Sequence, residues 1–216
     1  MFKKKANFMK KILNGYYKFF DQYFEKQSFY QKLFERQNPS VMFIACCDSR
    51  VDPALLVSAQ PGDIFVERNV ANVVPHRQDG PNSILIALEV ALCGFEVKDI
   101  VILGHQRCAG VQMLACNTLH KFGEVPIEYR EREQDLQNAF NFSYSEKNAG
   151  GFEKLNLAMS YRNLISHGIV ADRMQEKKVA VHAWYFSLKT GKIETLCLNC
   201  HQFTDLLVQC CGKRVF

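Results

Sequence analysis

The sequence lacks any apolar run close to the roughly 20 residues that a transmembrane helix requires, which argues against a membrane-spanning protein. It also lacks an export signal, because Lys10 and Lys11 interrupt the apolar residues near its start and no small-residue cleavage site follows. No repeat of fixed period and no low-complexity tract is present, so nothing suggests a disordered or collagen-like chain. We therefore expect a cytoplasmic protein with no membrane partner.

A strong excess of charge is missing as well. The formal net charge is only +5, and much of it comes from lysines among the first eleven residues, so we expect no nucleic-acid partner. Charges elsewhere are mixed, as in EYREREQD (128–135), which is most simply a solvated helix face.

Cysteine, by contrast, is abundant. Nine cysteines without an export signal indicate reduced thiols rather than a disulfide framework, so their spacing points to a metal site or to catalysis. Cys93 and Cys116 lie in apolar helical stretches and are interpreted as small buried hydrophobic residues.

Short apolar runs alternate with helical patterns along the chain, which predicts an α/β fold. The expected architecture is a mostly parallel central sheet flanked by helices, with an antiparallel hairpin near the C-terminus. Strands are predicted at 41–46, 64–72, 97–104, 177–188 and 192–198, the last two joined by the turn KTG. Helices are predicted at 8–36, 80–94, 111–120, 126–141 and 151–168.

The 216 residues, 48% of them hydrophobic, are enough for one domain with an appendage. Residues 1–36 form a predicted N-terminal helical arm, with Phe8, Ile12 and Tyr16 at helical spacing on one apolar face. Residues 37–216 form the predicted core of a single domain. The apolar face of the arm must be covered by this domain, by a partner subunit or by a membrane surface.

Two predicted strands end in residues that bind metals. Strand 41–46 runs into Cys46-Cys47-Asp48-Ser49-Arg50, and strand 97–104 runs into His105-Gln106-Arg107-Cys108. Sites in parallel α/β sheets form just beyond the carboxyl ends of the strands. If these strands are neighbours, two thiolates and one imidazole can hold a tetrahedral Zn²⁺ with a fourth position open, the ligand count of a catalytic site.

These two segments resemble the motifs of the β-class carbonic anhydrases. CCDSR matches the C-x-D-S-R motif, and GHQRCAG closely matches G-H-x-x-C-G-G. The resemblance extends over most of residues 35–195. It implies one Zn²⁺ per chain, with Cys46, His105 and Cys108 as ligands, Asp48 and Arg50 as the catalytic dyad, and Cys47 pointing away from the metal.

The implied reaction is the reversible hydration of CO₂ to bicarbonate and a proton by attack of zinc-bound hydroxide. The resemblance also implies substrate-binding roles for Phe65 and Val70, which line the CO₂ slot in the family, and for Gln37, which matches a glutamine of one subgroup. Ala109 stands where the motif has glycine, and its methyl group would crowd the substrate or disturb a turn of positive φ.

Another subgroup of the family holds a regulatory bicarbonate on a tryptophan, an arginine and a tyrosine. The matching positions here are Phe43, Arg68 and Phe186, of which two lack the polar atom. We therefore expect no such bicarbonate site and an open metal centre in this chain.

Alternatives remain open at this point. Relatives with the same motifs hydrolyse carbonyl sulfide or carbon disulfide, and a non-catalytic zinc scaffold is a further interpretation. CLNCH (197–201) matches a haem-attachment pattern that normally belongs to exported proteins. Cys197, Cys200 and His201 with Cys210 or Cys211 are candidates for a second metal site, or simply a packed cysteine-rich segment. The resemblance also implies a homodimer or a tetramer of dimers, with the N-terminal arm gripping its neighbour.

Overall fold

The computed structural model describes residues 2–25, 29–76, 82–139, 145 and 147–207. Contacts divide the chain into two units, Met1–Asn38 and Pro39–Phe216. The boundary lies two residues beyond the predicted junction of arm and core, and the organisation as a single domain stays a prediction. None of the helices in the described ranges has the length and apolar character needed to cross a bilayer.

The first unit is helical, as the pattern over 8–36 predicts. It contains α1 (Phe2–Phe19), a π-helical segment (Phe20–Glu25) and α2 (Phe29–Phe34). Large apolar side chains of α1 are exposed, among them Phe8, Ile12 and Tyr16.

The second unit contains a six-stranded mixed sheet, which confirms the predicted fold class. The strands are β1 (Val41–Cys46), β2 (Ile64–Asn69), β3 (Asp99–His105), β4 (Ala180–Phe186), β5 (Ile193–Cys197) and β6 (Gln202–Asp205), in the order β2-β1-β3-β4-β5-β6. The first four are parallel, whereas β5 and β6 pair antiparallel.

Helices flank this sheet. They are α3 (Pro53–Leu56), α4 (Ser83–Glu89), α5 (Ala109–Ala115), α6 (Ile127–Ala139), α7 (Ala149–Ser166) and α8 (Gly168–Gln175). Capping side chains start two of them, since Asp52 accepts from the Leu55 amide and Asn82 accepts from the Leu85 amide.

The central strand β1 shows how the sheet is buried on both faces. Met42 and Ile44 pack into the larger core cluster with residues of α4, α7 and α8. Phe43 and Ala45 point to the opposite face and pack with Val51 in a second cluster. Because successive strand residues face opposite sides, a continuously apolar strand must be covered on both faces.

Some predictions from the sequence were wrong in detail. Strand β2 ends at Asn69, because the chain turns into a 3-10 segment (Val70–Asn72) in which Ala71 has φ 61°. Helix α8 and strand β6 were not predicted, since neither is long or strongly periodic.

Burial corrected two further expectations. The charged helix α6 is not solvated all round, because Arg132 and Glu133 are buried. Cys93 and Cys116, expected in the core, are exposed in the chain.

Candidate metal centre

The carboxyl ends of β1 and β3 lie side by side. The two strands are parallel neighbours, with Ala45 opposite Leu103. Cys46 therefore ends one strand where His105 ends the next, and the turn after His105 carries Cys108 to the start of α5. The adjacency on which the predicted metal site depends is present.

Three predicted ligands form one cluster. The metal-binding atoms of Cys46, His105 and Cys108 all lie within 4.8 Å of one another, and the two sulfur atoms are 3.7 Å apart. All three side chains are buried. Cys47, the other half of the cysteine pair, is exposed and lies outside the cluster, as expected.

The donor set fits a metal ion. His105 Nε2 is buried and has no hydrogen-bond partner among the described residues, although such atoms are normally satisfied. Its other ring nitrogen, Nδ1, lies 3.1 Å from the Gln106 carbonyl oxygen, an arrangement that orients Nε2 as the ligand atom. Two soft sulfurs and one imidazole suit Zn²⁺.

The two thiols do not hold their protons equally. The hydrogen bond between the two sulfur atoms lowers the pKa of Cys46, which favours its thiolate form. The same contact, together with burial, raises the pKa of Cys108. A bound cation would take the place of the shared proton, because thiolates are the form that binds metals.

Asp48 and Arg50 form a tight pair beside the cluster. Arg50 Nε donates to Asp48 Oδ1 at 2.9 Å and Arg50 Nη2 donates to Oδ2 at 2.7 Å, while the Arg50 amide also donates to Oδ1. These hydrogen bonds hold the pKa of Asp48 at about 2, so the carboxylate stays charged at neutral pH. Asp48 Oδ2 lies 3.8 Å from His105 Nε2, which places the carboxylate beside the three-residue cluster without making it a member.

Arg68 holds the backbone of the same turn. Its guanidinium donates to the carbonyl oxygens of Cys46, Asp48 and Val51 at 2.8–2.9 Å. A guanidinium already occupied in this way supports the expectation that no regulatory bicarbonate binds here, which stays a prediction. Sequence reasoning missed this structural role because a lone arginine on a strand carries no signal of its partners.

The turn between His105 and Cys108 is strained. Arg107 has φ 56°, a left-handed conformation that a non-glycine residue rarely adopts. Arg50 Nη2 donates to the Arg107 carbonyl at 2.8 Å. On the other side of the turn, the Cys108 amide donates to Glu153 on α7. Such strain persists only where the surroundings determine the conformation.

A cavity of about 590 Å³ opens beside Asp48. Its lining includes Asp48, Arg50, Gln106, Arg107, Ala109 and Glu153. Ala109 lines this cavity, and its φ is not positive, so its methyl group does not disturb the turn. Its role in substrate binding stays a prediction.

Two of the other predicted substrate residues, Phe65 and Val70, do not line this cavity. Phe65 packs edge-to-face on Phe95 at 5.4 Å and belongs to the core around it. Gln37 belongs to the first unit. Their roles in substrate binding stay predictions.

Gly110 is required by close packing. A Cβ atom at Gly110 would lie 2.7 Å from Val70 Cγ1 and 2.9 Å from the Ala71 backbone nitrogen. We expect Gly110→Ala to lower the free energy of unfolding by about 1–3 kcal/mol, the usual cost of overpacking, measured by chemical denaturation. Gly94→Ala is the control, since its nearest neighbour would be 3.9 Å away. Equal stability of the two variants would contradict the packing argument.

Comparisons with known proteins agree with this geometry. A sequence model of the carbonic anhydrase family matches residues 41–193. Carbonic anhydrase 1 of Escherichia coli O157:H7 is 30% identical over 202 residues, and the carbonic anhydrase of Pseudomonas aeruginosa is 29% identical over 202 residues. Each alignment covers 92% of this chain and 92% of the relative.

Comparison with solved structures indicates which class of carbonic anhydrase this chain resembles. The β-carbonic anhydrase CcaA superposes with a TM-score of 0.82 at 25% identity, over 91% of this chain and 98% of that one. The chain belongs to the β-carbonic anhydrase family. A Coccomyxa β-carbonic anhydrase, solved in complex with acetazolamide, has the same fold, with a TM-score of 0.72 at 22% identity over 86% of this chain and 84% of that one. The prediction that the chain is a carbonic anhydrase is confirmed.

The second cysteine cluster is only partly described. Cys197 ends β5 and Cys200 lies in the turn before β6, but these two and His201 do not form a three-ligand group within the described ranges. Cys210 and Cys211 lie outside the described residues. The second metal site stays a prediction.

Proposed function

We propose that this β-carbonic anhydrase catalyses the reversible hydration of CO₂ to bicarbonate and a proton, with one Zn²⁺ held by Cys46, His105 and Cys108. The observation that carries the proposal is the buried Cys₂His cluster with the paired Asp48 carboxylate at its edge. Three protein ligands are the number that catalytic zinc sites use. Zinc bound there would supply Lewis acidity, which makes water a nucleophile near neutral pH.

Asp48 would accept the hydrogen bond of the attacking water and so orient it toward the carbon atom. The carboxylate can act as an acceptor because Arg50 holds it ionised, with its pKa at about 2. The fork of two hydrogen bonds from Arg50 also fixes the plane of the carboxylate and keeps it from turning onto the metal.

The cavity beside Asp48 would give CO₂ and bicarbonate access to the candidate metal cluster. Its lining includes the guanidinium groups of Arg50 and Arg107 and the carboxyl groups of Asp48 and Glu153, so polar groups of both kinds face the reactants. Gln37, Phe65 and Val70 remain the proposed contacts for CO₂.

Stopped-flow kinetics of CO₂ hydration on the zinc-loaded chain test the proposal. We expect turnover that acetazolamide inhibits, since the Coccomyxa β-carbonic anhydrase was solved in complex with that compound, and a slower rate of carbonyl sulfide or carbon disulfide hydrolysis. Faster hydrolysis of either sulfur compound would favour the alternative substrates. A zinc-loaded chain without any of these rates would be a scaffold.

We also propose a homodimer or a tetramer of dimers. Two β-carbonic anhydrases of Sordaria macrospora are described as tetrameric, and the exposed apolar face of α1 is suited to contact a second copy. Sedimentation of the chain as a monomer would contradict this arrangement.

A further inference from the structure

A buried carboxyl group contacts the backbone of the candidate metal cluster. Glu153 on α7 is 2% exposed. Its Oε1 accepts from the Cys108 amide at 3.0 Å, and its Oε2 accepts from the Tyr185 hydroxyl at 2.6 Å. Neither Glu153 nor Tyr185 has a part in the proposed reaction.

Burying the carboxyl group of Glu153 costs free energy. Burial raises the pKa of Glu153, although the Tyr185 hydroxyl and the backbone amides of Cys108 and Arg107 partly oppose that rise by stabilising the charged form. Since an apolar side chain would fill the same place on α7 without this cost, the carboxylate must be compensated by what it holds.

The turn that Glu153 holds carries two of the three proposed zinc ligands. His105 and Cys108 flank Arg107, whose φ of 56° is strained. Arg50 donates to the Arg107 carbonyl, and Glu153 accepts from the Cys108 amide. With both of these backbone groups held, the turn is kept from relaxing to an ordinary conformation that would carry the Cys108 sulfur away from Cys46.

Tyr185 sets the direction of the carboxylate. It lies on β4, the strand that pairs with β3, and it is 4% exposed. Its register partner is Gly104, the residue before His105. The sheet that positions His105 therefore also positions Tyr185, and through Glu153 it positions Cys108.

We propose that Glu153, oriented by Tyr185, is a positioning residue that holds the H-x-x-C turn so that the Cys108 sulfur is preorganised for the metal. This rests on the proposed function in so far as the cluster binds zinc. Groups that orient metal ligands typically contribute 10- to 100-fold to metal affinity. Glu153→Gln keeps the size of the side chain, but its amide has one acceptor oxygen in place of two, so it cannot accept from both the Cys108 amide and the Tyr185 hydroxyl.

The zinc affinity of the purified chain, measured by competition with a chromophoric chelator, tests this inference. We expect Glu153→Gln to weaken zinc binding by about 10- to 100-fold. Tyr185→Phe, which removes only the hydroxyl, is expected to weaken zinc binding less than Glu153→Gln does. In the Co²⁺-substituted protein, the thiolate-to-cobalt absorption band should shift or lose intensity in Glu153→Gln.

Glu133→Gln is the matched control. Glu133 is also a buried carboxyl group, 7% exposed on α6, but no hydrogen bond among the described residues joins it to Cys46, His105 or Cys108. The zinc affinity and cobalt spectrum of Glu133→Gln should therefore equal those of the wild type. Thermal unfolding of the metal-free variants separates general destabilisation from a local effect. Zinc affinity within twofold of wild type in Glu153→Gln, or an equal loss in Glu133→Gln, would overturn the inference. A wild-type chain that binds zinc but fails to hydrate CO₂ would overturn the proposed reaction alone.

Discussion

Cys46→Ser is expected to remove the metal and the activity together. Serine has no thiolate, whereas the hydrogen bond with Cys108 lowers the pKa of Cys46 and favours the thiolate that binds metals. Enzymes commonly accelerate reactions by roughly 10⁶-fold or more, and the proposed zinc would supply the nucleophile, so CO₂ hydration should fall to the uncatalysed rate. Elemental analysis should show zinc falling from one equivalent per chain to none.

The neighbouring cysteine gives the control. Cys47 is exposed and outside the cluster, so Cys47→Ser should keep both the zinc and the hydration rate. If Cys47→Ser lost the metal and Cys46→Ser kept it, the ligand assignment would be wrong. Two equivalents in the wild type that fall to one in Cys46→Ser would instead place a second metal at the second cysteine cluster.

Asp48→Asn is expected to keep the zinc and lose most of the rate. The amide has one acceptor oxygen in place of two, and it no longer pairs with the charge of Arg50. Removing a positioned acid–base group typically costs about 10²- to 10⁴-fold, so we expect kcat for CO₂ hydration to fall within that range in stopped-flow measurements.

Asp52→Asn is the matched control for the Asp48→Asn prediction. Asp52 is an exposed carboxylate four residues along the same segment, where it caps α3 by accepting from the Leu55 amide. Asparagine caps helices as well as aspartate does, so stability and rate should stay close to wild type. Equal rates in wild type and Asp48→Asn would exclude Asp48 from the chemistry.

The residues of the candidate metal cluster could be predicted because their signal lies in two short segments, one at the end of each strand. Cys46 and His105 each end a short apolar run that can only be a buried strand, and parallel strands bring their carboxyl ends to one edge. The assignment of Cys46 over Cys47 needed the family motif, and the burial of one with exposure of the other agrees with it.

Other features of the site carry no local signal. Glu153 looks like any charged residue of an amphipathic helix, and Tyr185 looks like a core residue of a strand. Their contact joins residues 32 positions apart, and that of Glu153 with the Cys108 amide joins residues 45 apart. Arg68 likewise reaches carbonyl groups about 20 positions away.

The alternation of apolar runs with helical patterns was enough to establish the α/β class, the order of most elements and the chemistry of the metal cluster. Those properties depend on residue type and short-range spacing, which a linear chain displays directly. The burial of Arg132 and Glu133 depended on how α6, α7 and β4 pack around the strand ends. The same packing decided the strained turn at Arg107 and the hydrogen bonds that hold it. Burial and long-range hydrogen bonds are properties of the assembled chain, because they require groups that meet only after the sheet has formed.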